Sequence, residues 1–240
     1  MTTTNKEIIR KSNERGAVNF DWLKSYHSFS FGHFYDPNWM GFQNLRVIND
    51  DSVLGENGFD FHPHKNMEIL TFMLQGELTH QDSMGNKEVI RPGDIQVMTA
   101  GTGVVHSEWN HSKETTKLLQ IWVLPNALNL KPRYEQINFS DKFDQARLVP
   151  LAGINDQYPI KLNANLDLSH LRLNTDEKIV LSSEQAKGVY LHVYQGEFEI
   201  NGKILQAGDA YMLNTETPTE LSLVGLKNKS SLLFFQTEAQ

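Results

Sequence analysis

The chain has 240 residues, 39% of them hydrophobic, no cysteine, and a formal charge of −7 with a pI near 5.7. That is enough for one large or two modest domains with unstapled cores, and it excludes disulfides and thiolate chemistry, so any metal must be held by imidazole and carboxylate. The acidic balance argues against direct nucleic-acid binding, and a polar Met1–Lys11 with no bilayer-length apolar run makes a cytoplasmic protein the default expectation.

In chain order, short segments rich in β-branched and aromatic residues are predicted as strands at Phe42–Val47, Glu68–Leu74, Val89–Val97 and Leu118–Leu124. A second set follows at Val189–Tyr194, Phe198–Ile200, Ala210–Leu213 and Ser231–Phe235. Asp141–Ala146 is the one segment of note that reads as helix, so the predicted fold class is all-β. Asn201-Gly202 marks a two-residue hairpin, because a type I′ turn needs positive φ twice. Pro125, Asn126, Asn129 and Pro132 interrupt the pattern and place a linker before Pro150. The expected organisation is an N-terminal domain at 1–130, a linker at 131–150 and a C-terminal domain at 151–240.

The two sets of strands share landmarks. Leu74-Gln75-Gly76-Glu77-Leu78 returns as Tyr194-Gln195-Gly196-Glu197-Phe198, and Pro92-Gly93-Asp94-Ile95 returns as Ala207-Gly208-Asp209-Ala210. The first copy is longer between its landmarks, which fits a longer hairpin through Gln81-Asp82-Ser83-Met84-Gly85-Asn86, since turns absorb insertions cheaply. Two copies of one small β-barrel is the simplest interpretation.

Two dipeptide patterns in the first copy suggest a metal. His62-Pro63-His64 places two imidazoles on one face of an extended chain, and Glu68, Leu70, Phe72 and Leu74 continue that parity as the expected inward face. His106-Ser107-Glu108 repeats the device. Three neutral imidazoles and a carboxylate suit a divalent first-row ion with positions left for substrate, without choosing among Fe, Mn, Ni, Co, Cu or Zn. In the second copy the corresponding positions hold Ser182, Glu184 and Gly188, then Leu221 and Leu223, so only the first barrel is equipped.

Those residues carry a family resemblance. Phe61-His62-Pro63-His64-Lys65-Asn66-Met67-Glu68, Gln75-Gly76-Glu77, Asp82-Ser83-Met84-Gly85-Asn86, Pro92-Gly93-Asp94 and the run from Thr99 to Glu108 resemble the N-terminal half of the pirin family. So do Phe29–Pro37, Leu45–Asp50 and Pro132-Arg133-Tyr134-Glu135; the resemblance spans nearly all of residues 10 to 136. It implies a bicupin, two tandem jelly-roll-like barrels, with one metal, usually iron(II), held in the N-terminal cupin by His62, His64, His106 and Glu108. Thr99 stands where the general cupin motif has proline, which leaves Glu68 between a weak ligand and an acceptor that fixes the tautomer of a ligand histidine.

The resemblance further implies a quercetin 2,3-dioxygenase-like enzyme acting on a flavonol and dioxygen. Glu108 would be both ligand and general base for the flavonol hydroxyl, and Leu70, Phe72 and Met98 would line the pocket. The alternative it offers is a redox-sensing regulator working through a protein partner, since the chain's charge disfavours DNA. His27, His80, His111, His170 and His192 lack a partner at ligand spacing and read as surface or core histidines, and Trp39, Trp109 and Trp122 as packing residues.

Overall fold

The structure, a computed structural model, describes residues 6–145, 147–183, 188–215 and 217–238. Within them strands dominate, with one short helix at Ser140–Gln145 and a 3-10 turn at Ser12–Glu14. The helix begins a residue before the predicted Asp141; Ala146 and Glu184 lie outside the described residues. Val89–Val97, predicted as one strand, is two, Lys87–Ile90 and Asp94–Thr99. Pro92 offers no backbone donor, Gly93 turns the chain at φ 91, and the Asp94 carboxylate accepts from the Arg91 amide at 2.7 Å.

The chain divides into two compact units, one of residues 16–140 with 162–164 and one of the remaining described residues. The first has a seven-stranded sheet in the order Arg133–Asn138, Asp94–Thr99, Glu68–Gln75, Thr116–Val123, Leu45–Val53, Leu23–His27, Gly16–Asn19. Its four-stranded sheet runs Asn57–His64, Val104–Asn110, Leu78–Asp82, Lys87–Ile90. The second unit repeats the plan, with Lys6–Arg10, Ala210–Asn214, Gly188–Gln195, Ser230–Thr237, Leu166–Leu173, Leu148–Gly153 and Ile160–Lys161 in one sheet. Lys178–Ser183, Thr219–Gly225, Glu197–Ile200 and Lys203–Gln206 form the other. Each unit is a two-sheet jelly roll with open edges, so the all-β bicupin plan holds without a closed barrel ladder. Arg133–Asn138, in the stretch expected to be linker, is an edge strand of the first unit, and Lys6–Arg10 is an edge strand of the second.

The sequence repeat has a backbone counterpart. Gly76 and Gly196 sit at φ 74 and 73, and Gly93 and Gly208 both at 91. Asn201 and Gly202 are both at positive φ, as the hairpin required. The interiors then diverge. In the second unit, Leu171, Leu191, Val193, Leu221, Leu223 and Phe234 belong to one continuous apolar core fed by both sheets. In the first unit the interior is split: Val53, Met73, Leu78 and Leu118 form one cluster, and Ile69, Met98 and Val104, with Trp122 against them, form another. Along Glu68–Gln75, Thr71 falls between Ile69 and Met73; along Thr116–Val123, Gln120 falls between Leu118 and Trp122. A polar pair, Thr71 opposite Gln120, replaces what is Leu191 opposite Phe234 in the other copy.

Two fully buried histidines of the second unit set its acid sensitivity. Burial, reinforced by the Arg15 charge for His192 and the Arg172 charge for His170, pushes both down to about 3. A folded-state value below the unfolded one near 6.5 means that the stabilising contribution is complete above pH 6.5 and is lost as pH falls. Each histidine should cost about 2 kcal/mol of stability between pH 7.5 and 5. Urea denaturation at the two pH values should show that loss, reduced by about half of the combined effect in His192→Gln. Equal loss in variant and wild type would exclude His192 as a cause.

Candidate metal centre

His62 and His64 are alternate residues of one strand and project from the same face. His106 lies directly opposite His62 in the antiparallel register, with Val104 opposite His64. The three rings consequently converge, with centroids 4.5 Å apart for His62 and His106, 4.8 Å for His62 and His64, and 4.9 Å for His64 and His106. One possible ligand atom from each lies within 4.8 Å of the other two. The same register places Leu181 opposite Leu221 in the second unit, where both are buried.

A register shift between His106 and Glu108 re-aims the strand beside the cluster. Glu108 is 2% exposed; it accepts from Gln120 Nε2 at 2.8 Å and from the Thr71 hydroxyl at 3.2 Å. Its carboxylate groups most closely with His106 and His80, within 4.8 Å, rather than with His62 and His64. All the same, His62, His64 and Glu108 line one small chamber of about 70 Å³ together with Phe31, Asn49, Asp51, Phe59, Gln120 and Trp122.

The expected inward face of the following strand is corrected. Asn66, at φ 53, turns the chain and donates its amide to Gly101 O at 2.9 Å, and the strand restarts at Glu68 in the other sheet. That turn resets the parity, so Ile69, Thr71 and Met73 face the interior in place of Leu70, Phe72 and Leu74. The chamber walls are Phe31, Phe59 and Trp122, not Leu70, Phe72 or Met98; Trp122 meets His64 edge-on at 4.8 Å. Glu68 accepts from Thr99 Oγ1 at 3.1 Å and Asn163 Nδ2 at 3.4 Å, so it neither joins the histidine group nor orients one of its rings.

The protonation pattern suits a cation. His62 Nδ1 donates to the Asp60 carbonyl at 2.7 Å, a bond that in the neutral ring puts the lone pair on Nε2. Burial and the neighbouring imidazoles push His64 down to about 4 and His106 to about 3, leaving both neutral, as metal binding requires. Nε2 of His106, in a side chain 1% exposed, has no hydrogen-bond partner among the described residues. A buried lone pair unmet beside two further imidazoles suits a divalent ion, and the donor set fits one.

Five polar residues of the site were not among the sequence candidates: Asn49, Asp51, Thr71, His80 and Gln120. Asn49 and Asp51 alternate on Leu45–Val53, and Oδ1 of each lacks a partner among the described residues. Burial pushes the Asp51 carboxyl up to about 7, opposed by the Ser25 hydroxyl and aided by the charges of Asp50 and Glu108. Two polar residues at a spacing of two in a strand otherwise apolar on that face were the available signal. For His80 the signal was Asp82 at the same spacing of two, 2.9 Å away, a partner the sequence expectation overlooked; its approach to His106, Nδ1 to Nδ1 at 3.4 Å, comes only through strand pairing.

Comparison with known proteins bears on this site. Residues 9–123 match the family model described as Pirin, and residues 152–236 match the one described as a quercetinase C-terminal cupin domain. A quercetin 2,3-dioxygenase of Escherichia coli K12 is 46% identical over 195 residues, covering 81% of this chain and 84% of that one. The chain belongs to the pirin family. A pirin-like protein of Caulobacter vibrioides is 37% identical, covering 84% of this pirin and 88% of its own length. Among solved structures, YhhW from Escherichia coli superposes with a TM-score of 0.91 at 39% identity, covering 98% of this chain and 99% of that one. The same bacterial pirin in complex with nickel(II) gives 0.89 at 39% identity, covering 98% and 100%. A divalent-metal site therefore has support from both the donor set and the relatives.

Proposed function

We propose that this pirin is a dioxygenase that opens flavonols such as quercetin at a mononuclear metal site held by His62, His64, His106 and Glu108, with iron(II) as the working ion. The observation that carries the reading is the convergence of three imidazoles around one unmet lone pair, beside a buried carboxylate held from two sides. The dioxygenase relative and the nickel(II) complex of YhhW point the same way. When bound, the ion supplies Lewis acidity that favours the deprotonated form of a phenolic hydroxyl and a centre for dioxygen chemistry.

The chain's own residues do the rest. The histidines are committed by their lone pairs, and of the two carboxylates that line the chamber, Glu108 and Asp51, we assign Glu108 to take the flavonol hydroxyl proton. Gln120 and Thr71 hold its two oxygens, fixing its orientation as the proton arrives. Phe31, Phe59 and Trp122 offer flat apolar walls for an aromatic ring. A neighbouring cavity of about 250 Å³ shares Phe31 and Trp122 and adds Phe34, Tyr35, Met40 and Met67, giving the body of such a molecule somewhere to lie. We also place the protein in the cytoplasm; no helix among the described residues is long and apolar enough to cross a membrane.

The test is oxygen uptake on adding quercetin to protein loaded separately with Fe, Mn, Co, Ni or Cu. Turnover that disappears in His62→Ala is the expected result. Silence with all five metals would end the enzyme reading.

A further inference from the structure

His80 and Asp82 lie behind the histidine cluster, on Leu78–Asp82, the strand that flanks Val104–Asn110 on the side away from His62. Both are buried. His80 Nε2 is 2.9 Å from Asp82 Oδ2, and His80 Nδ1 is 3.4 Å from His106 Nδ1. The proton positions follow from donor and acceptor chemistry. A carboxylate can only accept, so His80 Nε2 carries a hydrogen, and in a neutral ring Nδ1 is then a lone pair. That lone pair calls for a hydrogen on His106 Nδ1. His106 Nε2 is left bare, and it is the atom that has no partner among the described residues.

Asp82 is itself held in place. Oδ1 accepts from the amides of Met84 at 2.9 Å and Asn86 at 3.1 Å, and Oδ2 accepts from Asn86 Nδ2 at 2.8 Å. These donors belong to the Asp82-Ser83-Met84-Gly85-Asn86 turn, in which Gly85 adopts φ 96. This is the extra length that distinguishes the first copy from the second. The second copy closes the same hairpin with Asn201-Gly202 and has Ile200 where the first has His80. The longer turn, the buried carboxylate and the extra histidine are therefore present in the copy that has the histidine cluster and absent from the one that lacks it.

We propose that Asp82 and His80 are positioning residues that lock His106 in the tautomer able to bind a metal through Nε2, with His80 outside the ligand set. The inference rests on the metal-site reading above but not on the flavonol reaction. The orienting task that the sequence offered to Glu68 falls to His80, because strand pairing places His80 beside Glu108 and Asp82 beside His106.

Nitrogen-15 NMR of the full-length, metal-free protein reads the tautomer directly. The expected wild-type spectrum has His106 protonated at Nδ1 and bare at Nε2. His80→Phe removes the acceptor and should shift His106 towards the Nε2-protonated form; nickel(II) titration should show affinity lower by about 10–100-fold. His80→Asn returns an acceptor oxygen near the lost Nδ1 and should restore much of both. A wild-type His106 protonated at Nε2, or a tautomer and nickel affinity untouched by His80→Phe, would overturn the inference. The wild-type spectrum alone decides the tautomer, so a variant that fails to fold does not rescue the idea. A correct tautomer in a protein that never consumes oxygen with quercetin would sink the dioxygenase reading and leave this one standing.

Discussion

His106→Ala is expected to abolish metal binding, with a larger effect than substitution of any other residue at the site. His106 belongs to both groups of possible ligand atoms, the one with His62 and His64 and the one with His80 and Glu108. Its loss also leaves His80 Nδ1 as a buried acceptor without its partner. Titration of the metal-free variant with nickel(II) should show affinity reduced by more than the roughly 10–100-fold typical of supporting residues. Metal-free stability should fall by about 1–3 kcal/mol, the usual cost of a buried polar group left unpaired. Undiminished nickel affinity in His106→Ala would mean that the ion binds elsewhere.

Glu108→Gln separates holding the ion from moving the proton. Glutamine preserves the shape and keeps an oxygen for Gln120 or Thr71, but it has no carboxylate to accept a proton near neutral pH. Metal binding should survive better than in Glu108→Ala, while kcat for quercetin should drop by about 10²–10⁴-fold, the range for removing a general base. Steady-state oxygen uptake at matched metal occupancy gives the comparison. Equal rates for Glu108→Gln and wild type would leave Glu108 as a ligand without a proton-transfer role.

What the sequence disclosed about this site, and what it hid, follows from the range of the interactions involved. His62 and His64 are two residues apart and share a face by strand geometry alone, and the recurring Gly-Asp and Gln-Gly-Glu turns are local signals. That His106 lies across from His62 depends on register, which the spacing of the dipeptides could suggest but not establish. Counting by twos failed across Lys65–Met67, because a positive-φ asparagine restarted the strand in another sheet and moved the inward role from Leu70 and Phe72 to Thr71. His80, expected to be a surface or core histidine, had Asp82 two residues on as a local clue, but its neighbour His106 is 26 positions away in the chain. Trp122, read as packing, is packing and chamber wall at once. The edge strands Lys6–Arg10 and Arg133–Asn138 were missed because their polar, partly exposed composition gives no apolar alternation to detect.

The strand at Lys6–Arg10 raises a question of timing. It pairs with Ala210–Asn214, Ile8 opposite Met212, while the intervening residues 16–140 close their own jelly roll. On a ribosome adding about 5–20 residues per second, this segment is made roughly 10–40 s before its partner. During that interval the nascent chain carries a finished first unit beside an unpaired strand, whose Lys6, Glu7 and Arg10 charges discourage association with other strand edges. A segment made before the first unit thus takes its place in a sheet completed after that unit.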